Sequence, residues 1–350
     1  MDQIEFGLFD WVDRGQRPLH QLYEERLQLI EAADVAGFYS YHLAEHHATP
    51  LGMAPSPALF LTAAAQRTHK IRLGPLGCIL PLYPPLRLIE EICMLDNLSN
   101  GRLDLGVARG VSPYELRFSG IDHNDSRAIF DESMAIIVEG LTRPRLNFQG
   151  SYFNFDNVPM EMEPYQKPYP PLWYPTNNAD SIPYVAKNGY HFVDLGPAAR
   201  VREHVDLYWN LWEEHRLKPN RLNGHVTEPK VGIMRQIVVA ETDKEADTAA
   251  RTAHQDWFDS ITKLWHEYDD HMPDALFNWD TSIQNETIIH GSPSRVKEQI
   301  ARMFEVSGCN YLICAFAWGT MSHEQSLNSL RLFVDEVMAD FRDNPRAIID

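Results

Sequence analysis

Cysteine is scarce in this chain. There are four, Cys78, Cys93, Cys309 and Cys314, and none stands in a C-x-x-C spacing. That excludes a disulfide-stapled scaffold and a thiolate-built zinc centre, and it suits a reducing cytoplasm. Long apolar runs are also missing: no stretch reaches the roughly 18 uninterrupted apolar residues of a membrane helix, so no membrane span is expected. Positive charge is in deficit, with 31 Lys and Arg against 49 Asp and Glu and a formal charge of −18. Phosphate backbones and anionic bilayers repel such a chain, which removes nucleic acid and membrane surfaces from the expected partners. The opening residues Met1 to Phe6 carry neither a basic stretch nor an apolar one, so no secretory signal is expected. Internal repeats and low-complexity runs are absent.

What is present is enough for a large core. Hydrophobic residues make up 44% and aromatic residues 11% of 350 residues, which excludes a disordered chain. Size scaling has roughly 75% of the unfolded surface buried on folding. Strand-like and helix-like segments alternate along the sequence. Ile4–Phe9, Phe38–Leu43, Ile71–Leu80, Leu103–Val107, Leu172–Tyr174, His191–Leu195, Val231–Ala240 and Tyr311–Phe316 read as strands. Between them Leu19–Ala36, Pro57–Gln66, Pro85–Leu98, Ser126–Leu141, Ser181–Asn188, Val201–His215, Lys244–Arg251 and Ser294–Val306 read as helices, and Gln325–Ala339 closes the chain. Eight such units without a composition break predict an α/β chain folded as one (β/α)8 TIM barrel domain over residues 1–350, with a doubly wound sheet as the alternative. Two departures from the rhythm are expected: a hairpin around Gln149-Gly150 after the fourth helix, and a long aromatic and acidic insertion over residues 253–290 before the last strand. Long insertions at strand ends of barrels serve as active-site lids or as plain packing excursions.

Chemistry in such a barrel gathers at the C-terminal strand ends. Those ends carry Asp10-Trp11, Glu45-His46-His47, Leu76-Gly77, Arg109-Gly110, Asn177-Asn178, Gly196 and Trp318-Gly319. Together they describe a cavity for a planar anionic ligand with apolar company. His42-Leu-Ala-Glu45-His46 fits the H-x-x-E-H spacing of inverted zinc peptidases. That chemistry needs both histidines on one helix face, whereas Phe38–Leu43 reads as a strand, so His42 is expected as a satisfied barrel histidine and no metal is expected. Glu45 beside His46 and His47 can orient an imidazole and raise its basicity, which makes His46 the expected base and His47 a weaker candidate. Arg109 at a strand end next to glycine suits a bidentate phosphate contact or an ordinary surface ion pair. Asn177, Asn178 and Ser181 precede a short helix and suit either an anion seat or simple capping.

These strings, in this order, resemble the bacterial luciferase-like flavin monooxygenases. The likeness runs through Leu43–His47, Ile71–Gly74, Ile79–Arg87, Asp96–Arg102, Leu105–Gly110, Phe118–Asp122, Asn124–Arg127 and His290–Pro293, nearly the whole chain. The resemblance implies a barrel that takes reduced FMN from a separate NAD(P)H:flavin reductase. It places the FMN phosphate on Arg109 with Asn177, Asn178 and Ser181, the ring against Leu76 and Gly77 at a non-proline cis peptide, and His46 near flavin and substrate. It implies oxidation of a small apolar substrate, a carbonyl compound among the candidates, by O2 through a flavin C4a-peroxy species. Two positions depart from luciferase itself: Ala108 replaces a cysteine, and Asn177-Asn178 replace a carboxylate and a serine, which argues against light emission. A homodimer is implied by the same resemblance. The alternatives are a deazaflavin-dependent hydride-transfer enzyme of the same superfamily and a non-catalytic flavin-binding protein.

Overall fold

The computed structural model describes residues 4–343 of the chain. The outermost residues of the expected 1–350 domain lie outside the described residues. Twelve strands follow in chain order: β1 (Glu5–Asp10), β2 (Ser40–Leu43), β3 (Arg72–Pro75), β4 (Cys78–Ile79), β5 (Leu105–Ala108), β6 (Arg145–Gln149), β7 (Asn154–Pro159), β8 (Leu172–Pro175), β9 (His191–Asp194), β10 (Val231–Val239), β11 (Ile288–Gly291) and β12 (Tyr311–Ala315). The helices that matter below are α1 (Leu19–Ala36), α2 (Pro57–Arg67), α3 (Pro85–Leu98), α4 (Pro113–Phe118), α5 (Ser126–Thr142), α6 (Ile182–Asn188), α7 (Ala198–His215), α8 (Asp243–Glu267), α9 (Asp274–Phe277), α10 (Trp279–Gln284), α11 (Pro293–Ser307) and α12 (His323–Phe333).

The main sheet runs β3-β2-β1-β12-β10-β9-β8-β5-β4, with every pairing parallel. β3 and β4 are two halves of one stave, interrupted at Leu76-Gly77. A parallel bridge from Leu73 to Leu103 and the pairing of β4 with β5 bring the two ends of the sheet together. Counted this way the ring has eight staves, as the alternating pattern requires. β6 and β7 form the separate antiparallel hairpin after α5. β11 was not foreseen: it pairs with the C-terminal half of β10, Gln236–Val239, after β9 has left that flank.

Alternation along each strand divides the apolar residues between two cores. Leu8 and Tyr41 pack outward under the helices, while Phe9, Trp11, Trp173, Met234, Tyr311 and Ile313 fill the barrel. The lower half of the barrel is solid. His42 packs against Trp173 at 4.7 Å, and Trp173 stacks on His191 at 4.4 Å. Gly7 makes room for this layer, since a Cβ there would overlap the Tyr311 side chain. The upper half carries smaller inward residues, Ala44, Gly77 and Ala108, and stays open.

The segment before β11 differs from expectation in one respect. The helix begun at Lys244 continues to Glu267, so the first part of the insertion is helical. Thr242 and Glu245 close a capping box at its start, and Ala246, Ala250, Ala253 and Trp257 recur every three or four residues as its buried stripe.

Candidate active site

A cavity of about 580 Å³ opens at the C-terminal strand ends. Glu45, His46, Leu76, Gly77, Arg109, Asn177, Asn178 and Ser181 all line it. His47 does not. Of the other strand-end residues, Trp11 and Gly196 reach the cavity, whereas Asp10 is buried against Arg26 at 3.1 Å and Trp318 is fully buried in the core. Phe9, Trp11, Tyr174, Trp257 and Phe277 form its aromatic wall; Trp173 and Phe316 are core.

The imidazoles are partnered differently from the order in the sequence. Glu45 grips His47, not His46: its Oε1 lies 2.8 Å from His47 Nε2, and its Oε2 accepts the Ile79 N–H at 3.0 Å. This hydrogen bond raises the His47 pKa against the opposing effect of burial. Glu45 thereby ties the end of β2 to β4. The carboxylate serving His46 is Glu115, with Oε1 3.2 Å from His46 Nδ1 and Oε2 accepting the His47 backbone N–H at 3.2 Å. His46 Nε2 has no protein hydrogen-bond partner among the described residues. Glu115 went unrecognised because it sits in α4, a helix the strand–helix rhythm did not require. A signal was present in Ser112-x-x-Glu115, a capping spacing: the Ser112 hydroxyl accepts the Glu115 N–H at 3.4 Å. The Glu115 carboxylate turns to the two histidines instead of completing the box.

Cations concentrate at this mouth in an otherwise acidic molecule. Arg109 at the end of β5, Arg127 on α5 and Arg200 on α7 all line the cavity. Arg127 is paired with Asp131 at 3.0 Å; Arg109 and Arg200 have no carboxylate partner among the described residues. Asn177 and Ser181 face the same side of the opening. Asn178 is spent on capping, its side-chain oxygen accepting the Asp180 N–H at 3.0 Å, so the capping explanation holds for that side chain. At the stave break the Leu76–Gly77 peptide is cis, and a Cβ on Gly77 would stand 2.7 Å from the Val107 nitrogen. Glycine at 77 thereby lets this stave pack closely on β5, beside the cavity that Leu76 and Gly77 both line.

The insertion supplies a further side of the wall. Trp257 and Ile261 of α8, Leu276 and Phe277 of α9, and Ser282, Asn285 and Thr287 beyond them complete the wall. The turn after α8 is clasped to α4 by a Tyr114–Tyr268 stack at 4.5 Å, by Arg117 lying 4.2 Å over the Tyr268 ring, and by a Tyr114 hydroxyl to Asp270 bond of 3.2 Å. This part of the wall thus rests on the helix that carries Glu115.

His42 lies below the cavity, with its Nε2 2.9 Å from the Tyr311 hydroxyl, and burial pushes its pKa down to about 3. The H-x-x-E-H spacing therefore places its first histidine in the barrel floor and its second at the rim. Among the described residues, the group close enough to share a metal is the surface set His266, His271 and Asp274.

The architecture and the sequence have recognisable counterparts. A sequence model described as luciferase-like monooxygenase matches residues 4–310. A protein of Sinorhizobium fredii described as uncharacterized is 37% identical over 340 residues, covering 96% of this chain and 97% of its own. The oxygenase component of a flavin-dependent trigonelline monooxygenase from Acinetobacter baylyi is 26% identical, covering 97% of this chain and 96% of its own. Among solved structures, the oxygenating constituent of 3,6-diketocamphane monooxygenase from Pseudomonas putida, a type II Baeyer-Villiger enzyme in complex with FMN, superimposes with a TM-score of 0.78 at 22% identity, over 96% of this chain and 98% of its own.

Proposed function

The chain belongs to the luciferase-like monooxygenase family, and on that footing we propose that it is the oxygenase component of a two-component system, using reduced FMN and O2 to oxidise a small, largely apolar substrate. The observation that carries this reading is one cavity in which unpaired arginines, a carboxylate-held imidazole and an aromatic cover meet, in a chain of net charge −18. An anionic, planar ligand answers both the cationic rim and the apolar interior.

The residues present fit FMN. Arg109, with Arg127, Asn177 and Ser181 beside it, would hold the phosphate. Gly77, which lines the cavity without a side chain of its own, offers close approach to a ring beside Leu76. Reduced FMN, when bound, supplies the electrons that activate O2; the protein supplies position, electrostatics and dryness. His46 is in position to hold or move a proton at Nε2, because Glu115 fixes the ring through Nδ1. Trp11, Trp257, Leu276 and Phe277 exclude water from the same space. Glu45 and His47 support the loop that bears His46. We assign the 253–290 insertion the role of a lid.

Family membership, and the likeness to a relative described as the oxygenase component of a flavin-dependent monooxygenase, support a separate NAD(P)H:flavin reductase. No helix among the described residues is long and apolar enough to cross a membrane, and the buried, unpaired cysteines suit a cytoplasmic location. Exposed Val35 on α1, Leu59 on α2 and Met94 and Leu98 on α3 support a homodimer formed through these helices.

The decisive experiment combines the protein with a flavin reductase, NADH, FMN and a panel of apolar ketones and aldehydes, and follows O2 uptake and product mass. Incorporation of one oxygen atom per O2 consumed is expected. Failure to bind FMN in either redox state refutes the proposal, as does turnover with a reduced deazaflavin without O2 uptake. Tight FMN binding with no turnover on any substrate points to a non-catalytic flavin carrier.

A further inference from the structure

One wall of the cavity carries polar groups that the cofactor reading leaves unused. The inward positions of β10 are Gly232, Met234 and Gln236. Gln236 is only 3% exposed and lines the cavity, yet its Nε2 is sealed from solvent without a hydrogen-bond partner. Its backbone N–H donates to the Thr287 carbonyl at 3.1 Å, which sets it beside the segment leading into β11. Asn285 of that segment also lines the cavity, and its carboxamide makes no hydrogen bond to the described protein. Two unpaired carboxamides thus share a wall otherwise made of Val193, Met234, Trp257, Leu276 and Phe277.

Buried carboxamides are seldom left unmatched, because each loses hydration without compensation. Below the cavity, His42 Nε2 meets the Tyr311 hydroxyl and His191 Nδ1 accepts the Lys230 N–H; His42 Nδ1 and Trp173 Nε1 are also buried without a partner, but neither residue lines the cavity, as Gln236 does. Packing alone would be served as well by leucine or methionine at position 236. Around the ring, β10 is three staves from β5, where Arg109 stands, and three from β2, which leads to His46. The carboxamides therefore face the cavity from a third direction, away from both the phosphate anchor and the imidazole.

We propose that Gln236, its carboxamide turned to present Nε2, and Asn285 form the substrate's head-group subsite, donating hydrogen bonds to a carbonyl or carboxylate oxygen on an otherwise apolar molecule. The cavity then selects an oxygen-bearing substrate over a hydrocarbon of the same shape. Such discrimination is steep, because a site built to hydrogen-bond an oxygen leaves its own amides unpaired when the oxygen is missing. Arg200, unpaired on the neighbouring α7, would favour the carboxylate form. The inference rests on the flavin reading for the assignment of the opposite walls, and its test is made by binding.

Trp11 and Trp257 line the cavity, so quenching of tryptophan fluorescence reports occupancy. The protein, with and without FMN, is titrated with 2-undecanone, undecane and decanoate. At least tenfold tighter binding of the ketone or the carboxylate than of undecane is expected, and whichever of the two binds tighter identifies the oxygen group. Gln236→Leu is expected to bring the preference down to within twofold, leaving undecane and FMN affinities within twofold of the parent. Gln236→Met, closer in shape, guards against misfolding and is expected to behave the same way. Equal parent affinity for the three compounds, or no binding of any, overturns the proposal. So does a Gln236→Leu variant that loses FMN and keeps the preference, which would assign the carboxamide to the cofactor. Failure of the flavin reading is seen separately, as a parent protein that binds no FMN yet still prefers the oxygenated compounds.

Discussion

Replacing Arg109 by alanine removes a guanidinium that has no carboxylate partner and stands at the end of β5, on the rim of the cavity. A charge-assisted contact to a phosphate contributes about 1.5–3 kcal/mol when sheltered from water. Arg109 is exposed, so solvent screening moves the expectation to the lower end. Arg127 remains nearby and offsets part of the loss. The net expectation is about 1.5 kcal/mol, roughly tenfold in the Kd for FMN. Riboflavin lacks the phosphate and should bind parent and variant alike within about twofold. Salt provides a second reading: the screening length contracts from about 10 Å at 0.1 M to about 3 Å at 1 M, so the FMN deficit should shrink as salt rises. Titration of flavin fluorescence with both ligands at two ionic strengths measures all four affinities. Equal weakening of FMN and riboflavin would refute the phosphate assignment, because the loss would then reflect a disturbed cavity wall. An unchanged FMN affinity would refute it more simply.

Three further expectations follow from particular contacts. His46→Ala should abolish coupled oxygenation while leaving FMN affinity within about threefold, and Glu115→Gln, which keeps the shape but removes the charge facing Nδ1, should lower turnover by about 10–100-fold; full activity in both variants would end the role assigned to the imidazole. Tyr268→Ala removes the ring stacked on Tyr114 and beneath Arg117, and with the cover loosened, a larger fraction of O2 should emerge as hydrogen peroxide at undiminished FMN binding; unchanged coupling would count against a lid. Burial holds the folded-state pKa of His42 at about 3, against about 6.5 when unfolded. As pH falls below 6.5 the unfolded chain takes up a proton that the folded chain refuses, so this site costs about 1.4 kcal/mol of stability per pH unit, or about 2 kcal/mol between pH 6.5 and 5. In urea titrations at pH 5, 6 and 7, His42→Asn should lack that part of the acid slope, and parallel slopes in both proteins would show that His42 is not held neutral.

Periodicity and punctuation carried much of the fold. The eight staves lie where apolar runs alternate with amphipathic stretches, and Gly37, Gly189 and Gly308 end α1, α6 and α11 in the left-handed conformation. Both are local properties, legible because they depend on neighbours along the chain. The rule that barrel chemistry sits at strand ends also brought most of the proposed site residues to one mouth. The full length of α8 was open to the same reading, since its capping box and alanine stripe are written in the sequence; the aromatic richness beyond residue 253 hid it.

Pairing between distant segments was another matter. Adjacency suggested that Glu45 serves His46, but neighbouring side chains on extended backbone point in opposite directions, and the carboxylate that reaches His46 comes from residue 115, on a helix two staves away. Arg127 and Arg200 stand on separate helices, and it is barrel closure that turns them toward the same opening as Arg109. Gln236 stands next to Arg235 in an otherwise apolar strand. Only the ring of staves, with β11 replacing β9 on its flank, sets this side chain on the cavity wall. Composition and spacing established which groups this chain has and which elements bear them. Closure of the barrel decided which of those groups meet, because that depends on distances across the ring that no local interaction along the chain encodes.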